Sequence, residues 1–215
     1  MKDYIPLSLP FIPGWDVSGV VEAVGSGVTK VKKGDEVYAR PVVTAHGYGA
    51  YAECVVAKET ETALKPKSID HVHAATIPVG AVTAWRALFD AAGLQEGQKV
   101  LIHGAAGGVG SFAVQLAKWK GAHVIGTAST RNQAFLRQLG VDEPIDYEKT
   151  QFEDVVHDVD VVLDPIGGRH PSRSWKTLKK GGIWFRLLAH PRQRRPQIMV
   201  FARLSYRSGR FIATG

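Results

Sequence analysis

The chain has a single cysteine, Cys54, among its 215 residues. A lone thiol excludes an internal disulfide and leaves no Cys-rich spacing for a structural zinc. A reducing, cytoplasmic setting suits that composition. No apolar run is long enough to span a bilayer. The opening segment carries Pro6, Pro10 and Pro13 where a secretory leader would have its apolar core. Acid is also missing, but only locally. Residues 183–215 hold seven arginines, no lysine and no carboxylate, while residues 1–182 balance in charge. The formal net charge of +7 therefore belongs to the tail. The folded body has no excess of positive charge with which to hold nucleic acid or an acidic membrane.

With 45% hydrophobic and 22% charged residues, the chain has the composition of a globular protein. Its length suits one large domain or two small ones. Residues 14–24, 36–40 and 47–58 read as short strands punctuated by Gly and Asp, which predicts a small all-β barrel or sandwich. Ser68-Ile-Asp-His71 starts a short polar helix. From Val79 the period changes: Val82, Trp85, Leu88 and Phe89 fall at helical spacing, with Gly93 as the C-cap. Strands at 100–102, 123–129, 144–147, 159–164 and 183–188 then alternate with helices at 111–119, 131–139, 152–157 and 172–178. Gly140 stops the second of these helices and Gly181-Gly182 the last. This pattern predicts an α/β fold, a doubly wound parallel sheet with helices on both faces.

The alternation is organised by Val100-Leu-Ile-His-Gly-Ala-Ala-Gly-Gly-Val-Gly110. A short run suited to a strand buried on both faces is broken by glycines, and a helix with Phe112, Val114, Leu116 and Trp119 follows. Small residues at such a turn let backbone approach a pyrophosphate, and the free N–H groups and dipole of the helix favour its charge. The motif is Ala105-Ala-Gly-Gly-Val-Gly110 rather than an ideal G-x-G-x-x-G, and the same glycines would also serve a tight turn with no ligand. In a doubly wound sheet the ligand lies at the carboxyl ends of the strands. Three loops meet there, at 104–110, 127–131 and 164–168. NAD-binding versions carry an acid about 20 positions on, for the ribose 2′-hydroxyl. Here that place reads Thr127-Ala-Ser-Thr-Arg131, where Ser129, Thr130 and Arg131 suit a 2′-phosphate and point to NADP(H). Ser129-Thr130 would equally cap the helix that begins near Arg131.

These residues resemble the medium-chain dehydrogenase/reductase superfamily, in its zinc-free quinone-oxidoreductase (zeta-crystallin-like) or enoyl-reductase group. The matching motifs are Gly14-Trp-Asp-Val-Ser-Gly-Val-Val-Glu-Ala-Val-Gly25, Lys33-Gly-Asp-Glu-Val-Tyr38, Gly49-Ala-Tyr-Ala-Glu53, Ala81-Val-Thr-Ala-Trp-Arg-Ala-Leu88, the glycine turn and Phe135-Leu-Arg-Gln-Leu-Gly-Val-Asp142. They cover residues 10–188. The resemblance implies a partial GroES-like β-barrel catalytic domain over 1–78, a Rossmann NADP(H)-binding domain over 79–190 and a basic, non-family tail over 191–215. It implies hydride transfer from NADPH to a quinone or an α,β-unsaturated carbonyl. An inert NADP(H)-binding remnant of such an enzyme is the alternative. Carried over by position, Ala105, Ala106, Gly107, Gly108, Val109 and Gly110 would hold the pyrophosphate. Ser129, Thr130, Arg131 and Tyr147 would surround the 2′-phosphate, and Thr83 would lie near the nicotinamide. Tyr147 would also serve as an edge-strand aromatic and Thr83 as packing beside Trp85.

Zinc-dependent relatives have Gly-His-Glu where this chain has Gly14-Trp15-Asp16. Tryptophan cannot ligate zinc, and His71-x-His73 reads as a solvated pair, so no catalytic metal is expected. Tyr48, Tyr51 or a water would supply the proton, and no residue pattern chooses among them. The family has further strands before Pro10-Phe-Ile-Pro-Gly14 and continues past its fifth Rossmann strand. Truncation at both ends is therefore expected, with residues 190–215 either out of frame or a basic tail for an acidic partner. The substrate partner would be a small molecule, and the homodimer common in the family would lose its sheet edge.

Overall fold

The computed structural model describes residues 10–41, 49–167, 171–188 and 197–202, with 171, 172, 188 and 197–202 described by backbone alone. The chain divides into two compact units, Met1–Val82 and Thr83–Gly215. In the first, β1 (Val17–Val20), β2 (Glu36–Ala39) and β3 (Thr62–Leu64) form an antiparallel sheet in that order. Val17 faces Ala39 and Val37 faces Leu64. Helix α1 (His71–Ala74) starts where the Asp70 carboxylate accepts the His73 N–H at 2.8 Å. That bond satisfies one of the free donors of the first turn. A wide π-type turn, Ile77–Ala81, follows.

Two strand expectations are corrected in this unit. The segment expected as a strand over 47–58 is irregular over its described part, 49–58. The third strand is instead Thr62–Leu64, too short to show an alternating pattern. The strand expected over 14–24 is regular only from Val17 to Val20. Val21 leaves the ladder to form a turn with Gly34 and Asp35, accepting the Gly34 N–H at 2.8 Å and donating to the Asp35 carbonyl at 2.9 Å.

The second unit begins in α2 (Val82–Trp85), continued by a π-type stretch, Arg86–Ala91. Gly93, at φ +60°, ends it by donating to the Phe89 carbonyl. Beyond it come β4 (Lys99–Ile102), α3 (Gly108–Trp119), β5 (His123–Ala128), α4 (Gln133–Gln138), β6 (Glu143–Asp146), α5 (Phe152–Val155), β7 (Val159–Asp164), α6 (Pro171–Thr177), β8 (Leu178–Leu188) and β9 (Gln197–Ala202). The sheet order is β6-β5-β4-β7-β8-β9. Every pair is parallel except β8–β9. The expected five parallel strands with their helices are present, in a Rossmann-type arrangement.

Pleat explains the unbroken apolar runs. Val100, Ile102, Val161 and Leu163 pack on one face with Leu88, Val114 and Phe185. Leu101, Ile125, Val162 and Trp184 pack on the other with Phe152 and Leu178. Both faces being buried, a polar side chain on these strands needs a partner, as Thr127 and Asp160 have in the Gly104 and Lys99 N–H groups. At the edge of this core, Asp142 accepts from Lys118 at 2.7 and 2.8 Å and from the Val124 N–H at 2.7 Å. It thereby ties α3 to β5. Burial alone would raise its pKa, but the Lys118 bond and the Val124 N–H together lower it.

The expectation for Gly181-Gly182 also changes. They do not separate helix from strand, because β8 already begins at Leu178. The register shifts between Val159↔Leu178 and Val161↔Ile183, so the glycines form a bulge within the strand. Gly181 adopts φ +82°. A Cβ on Gly182 would meet the Leu178 side chain at 2.9 Å and the Val159 carbonyl at 3.0 Å. Within the tail, Gln197–Ala202 pairs antiparallel with β8 from Ile183↔Ala202 to Leu188↔Gln197. The other tail residues expected to lie outside the family pattern fall outside the described set.

Leu163→Ala, at a fully buried position, is expected to cost about 2–5 kcal/mol in urea denaturation. Val155→Ala, at a position 53% exposed, is expected to stay within about 0.5 kcal/mol of the parent.

Candidate functional site

The sheet order reverses at β4, whose neighbours are β5 and β7, and this is where a crevice opens beyond the carboxyl ends of the strands. The chain leaves β4 through His103 and turns at Gly104, which has φ +57°. Thr127, at the end of β5, holds this turn twice. Its carbonyl accepts the Ala105 N–H at 2.9 Å, and its hydroxyl oxygen accepts the Gly104 N–H at 3.3 Å. Gly107 then donates to the Gly104 carbonyl at 2.8 Å and α3 begins.

The glycines are required by space. A Cβ on Gly110 would lie 2.2 Å from the Gly104 carbonyl oxygen, and one on Gly107 would lie 3.2 Å from it. Gly108 has nothing within 4 Å of its Cβ position, so its backbone is open to an approaching group. No side chain caps the first turn of α3, a helix of 12 residues. Its free N–H groups and positive dipole end therefore face a cavity of about 470 Å³. A turn closed to side chains and open to donors fits the pyrophosphate of a dinucleotide.

The cavity is lined by Gly104, Ala106, Gly107, Gly108, Val109 and Gly110 on one side, and by Ala128, Ser129, Arg131, Asn132 and Tyr147 at the β5–β6 end. Pro165 and Ile166 complete it. Most of the residues expected at the cofactor are thus brought together. Ala105 is instead fully buried, its methyl packed where Gly126 leaves room. Thr130 donates its hydroxyl to Asp146 at 2.6 Å and does not line the cavity. Thr83 is half-buried on α2 and does not line it either. Of the candidate proton donors, Tyr48 lies outside the described residues, and Tyr51 is 79% exposed with its ring against Gly14.

Ala128, Pro165 and Ile166 lie in the loops expected at the site but were not singled out there, and Asn132 lies just beyond them. Sequence reasoning missed what β6 contributes. The search for an acid looked only at the end of β5, whereas Asp146 and Glu148, at the end of the next strand, reach Thr130. A carboxylate two residues beyond an Ile-Asp pair was the available signal.

Beneath the turn, His103 is buried. Its Nδ1 is 3.3 Å from the Thr127 hydroxyl and its Nε2 is 3.1 Å from that of Ser174. The neutral imidazole has one donor and one acceptor nitrogen, and in either tautomer it bridges the Thr127 hydroxyl to Ser174 on α6. Burial lowers the His103 pKa, with the Asp164 charge opposing, Arg173 reinforcing and Glu153 opposing. The Asp164 carboxylate accepts the Ile166 and Gly167 N–H groups at 3.1 and 2.9 Å, shaping the loop under the cavity.

In the N-terminal unit, Asp16 accepts the Val79 N–H at 2.7 Å. Burial raises its pKa, opposed by that bond and by Arg40. Among the described residues, no group of three or more His, Cys, Asp or Glu side chains could hold a metal ion. No helix among them is long and apolar enough to cross a membrane.

Residues 108–187 match the zinc-binding dehydrogenase family model, and residues 1–67 match that of the alcohol dehydrogenase GroES-like domain. A 2-methylene-furan-3-one reductase of Solanum lycopersicum is 41% identical over 180 residues, covering 81% of this chain and 46% of the relative. A chloroplastic NADPH-dependent alkenal/one oxidoreductase of Arabidopsis thaliana is 42% identical over 180 residues, with the same 81% and 46% coverage. Among solved structures, a quinone oxidoreductase from Coxiella burnetii matches at TM-score 0.75 and 40% identity, covering 81% of this chain and 55% of that one. The chain spans about half the length of the curated relatives it matches.

Gly110→Ala should weaken dinucleotide binding at least about tenfold in a fluorescence titration, since its Cβ has no room beside Gly104. For His103 the sign follows from burial. Above the ordinary histidine value of 6.5 both states are neutral and the group contributes nothing to pH dependence. Below it, the unfolded chain takes up a proton that the folded chain resists, so stability falls by up to about 1.4 kcal/mol per pH unit. Thermal melts at about pH 7.5 and about pH 5.5 should show a smaller acid-side loss in His103→Asn than in the parent.

Proposed function

Because this chain belongs to the medium-chain dehydrogenase/reductase superfamily, in its quinone-oxidoreductase group, we propose that it binds NADP(H) in the cavity above β4. We propose further that it serves hydride transfer to a quinone or an α,β-unsaturated carbonyl without zinc. The observation that carries this reading is the uncapped, glycine-walled start of α3 opening on a cavity that Arg131, Ser129 and Tyr147 close at its far end. The names of the relatives, an alkenal/one oxidoreductase and a quinone oxidoreductase, support the substrate class.

A bound nicotinamide supplies the hydride; the chain's own residues hold and orient. Free N–H groups of α3 would meet the pyrophosphate, and Arg131 with Ser129 would meet a 2′-phosphate. The Tyr147 ring would flank the adenosine end. Pro165 and Ile166 give the cavity an apolar wall. Zinc independence is supported by Trp15, which offers no ligand atom, and by the commitment of Asp16 to the Val79 N–H. A reducing, cytoplasmic setting belongs to the same proposal, supported by the lone exposed thiol of Cys54.

Titration with NADPH, followed by turnover with a quinone and with an enone, tests the reading. Binding with turnover is expected. Absence of NADPH binding overturns it, and binding without turnover reduces it to the inert binder. Arg131→Ala should weaken NADPH by about tenfold while leaving NADH within about twofold.

A further inference from the structure

We infer that Glu148 is a specificity-determining residue at the adenosine end of the cavity, set against a 2′-phosphate and favourable to a free 2′-hydroxyl. This rests on the dinucleotide reading above and concerns which dinucleotide the site prefers. The Thr130 N–H lies between two lining residues, Ser129 and Arg131. It donates to the Glu148 Oε2 at 3.2 Å. A carboxylate thus already occupies a backbone donor of the corner in which Ser129 and Arg131 would receive a phosphate.

Asp146, the other acid here, is differently placed. It accepts the Thr130 hydroxyl at 2.6 Å and the Glu148 N–H at 3.1 Å, and pairs with Lys149 at 3.6 Å. Its charge is committed to holding β6 against the end of β5. Glu148 is exposed, and among the described residues its side chain has only the Thr130 bond. The corner holds Arg131 and Lys149 against Asp146 and Glu148, so its formal charge is zero. A 2′-phosphate adds roughly two negative charges to that balance, and Glu148 is the carboxylate with least to keep it in place. A 2′-hydroxyl adds none and can donate to a carboxylate, the role an acid at the end of the second strand fills in NAD-binding sheets. Here the following strand supplies it.

The test is the dissociation constants of NADPH and NADH, by fluorescence titration at low and high salt, for the parent, Glu148→Gln and Glu148→Lys. Glu148→Gln keeps the size and removes the charge. It should tighten NADPH by about tenfold and weaken NADH severalfold, with Glu148→Lys shifting the ratio further and raised salt shrinking both effects. An unchanged NADPH-to-NADH ratio in both variants, with both dinucleotides still bound, overturns this inference and leaves the dinucleotide site standing. If the parent binds neither, the site itself is refuted and the inference with it.

Discussion

Thr127 holds the glycine turn by two bonds, carbonyl to Ala105 and hydroxyl to Gly104, and the geometry of the cavity follows from that grip. A turn rich in glycine loses more conformational freedom on ordering than any other sequence, so it needs an external clamp to present its backbone in one arrangement. The clamp comes from β5, the strand paired in parallel with β4. Parallel pairing brings both carboxyl ends to one edge of the sheet, so the strand that fixes the turn also delivers Ser129 and Arg131 to the cavity. One register therefore sets the pyrophosphate end and the adenosine end together. A slip of a single residue would turn Thr127 to the opposite face and release both.

How much of this was legible in the sequence differed by element. The central strands carry apolar side chains on both faces, and Val100-Leu-Ile102 or Val159-Asp-Val-Val-Leu163 could hardly be anything else. The glycine turn was legible because much of its chemistry is local: Gly107 and Gly110 both lie close to the Gly104 carbonyl, within a few residues. The N-terminal sheet was less legible. Its strands are three or four residues long, and their pairing depends on partners some 20 residues away in sequence, which composition does not record. The bulge at Gly181 and Gly182 was misjudged for a related reason. Two glycines after a helix suit a helix stop and a strand irregularity equally, and only the register with β7 decides between them.

The adenosine corner shows the limit most clearly. Reading along the chain, the loop after β5 is free of acid and favours a phosphate. Reading across the sheet, β6 lies beside β5 and brings Asp146 and Glu148 to the same loop. Specificity at such a site is a difference between two binding energies, so an acid on the next strand counts as fully as one on the same strand. Spacing rules built on one βαβ unit miss that contribution, because it belongs to sheet order and not to the unit.

The buried His103 raises a different question, why an ionisable ring is tolerated under the turn at all. A phenylalanine there would take a partner from the Thr127 and Ser174 hydroxyls, at about 1–3 kcal/mol for each buried polar group left unpaired. Imidazole satisfies both with one acceptor and one donor, but only while neutral. Every charge around it is accounted for. Arg173 pairs with Glu153 at 2.6 Å, and the Asp164 carboxylate accepts two backbone N–H groups of the next loop. Burial outweighs the Asp164 and Glu153 charges, which favour an imidazolium, and with Arg173 opposing them the neutral ring prevails. The link from Gly104 through Thr127 and His103 to Ser174 joins the cradle to α6, and it needs the neutral imidazole, whose two nitrogens serve one as donor and one as acceptor.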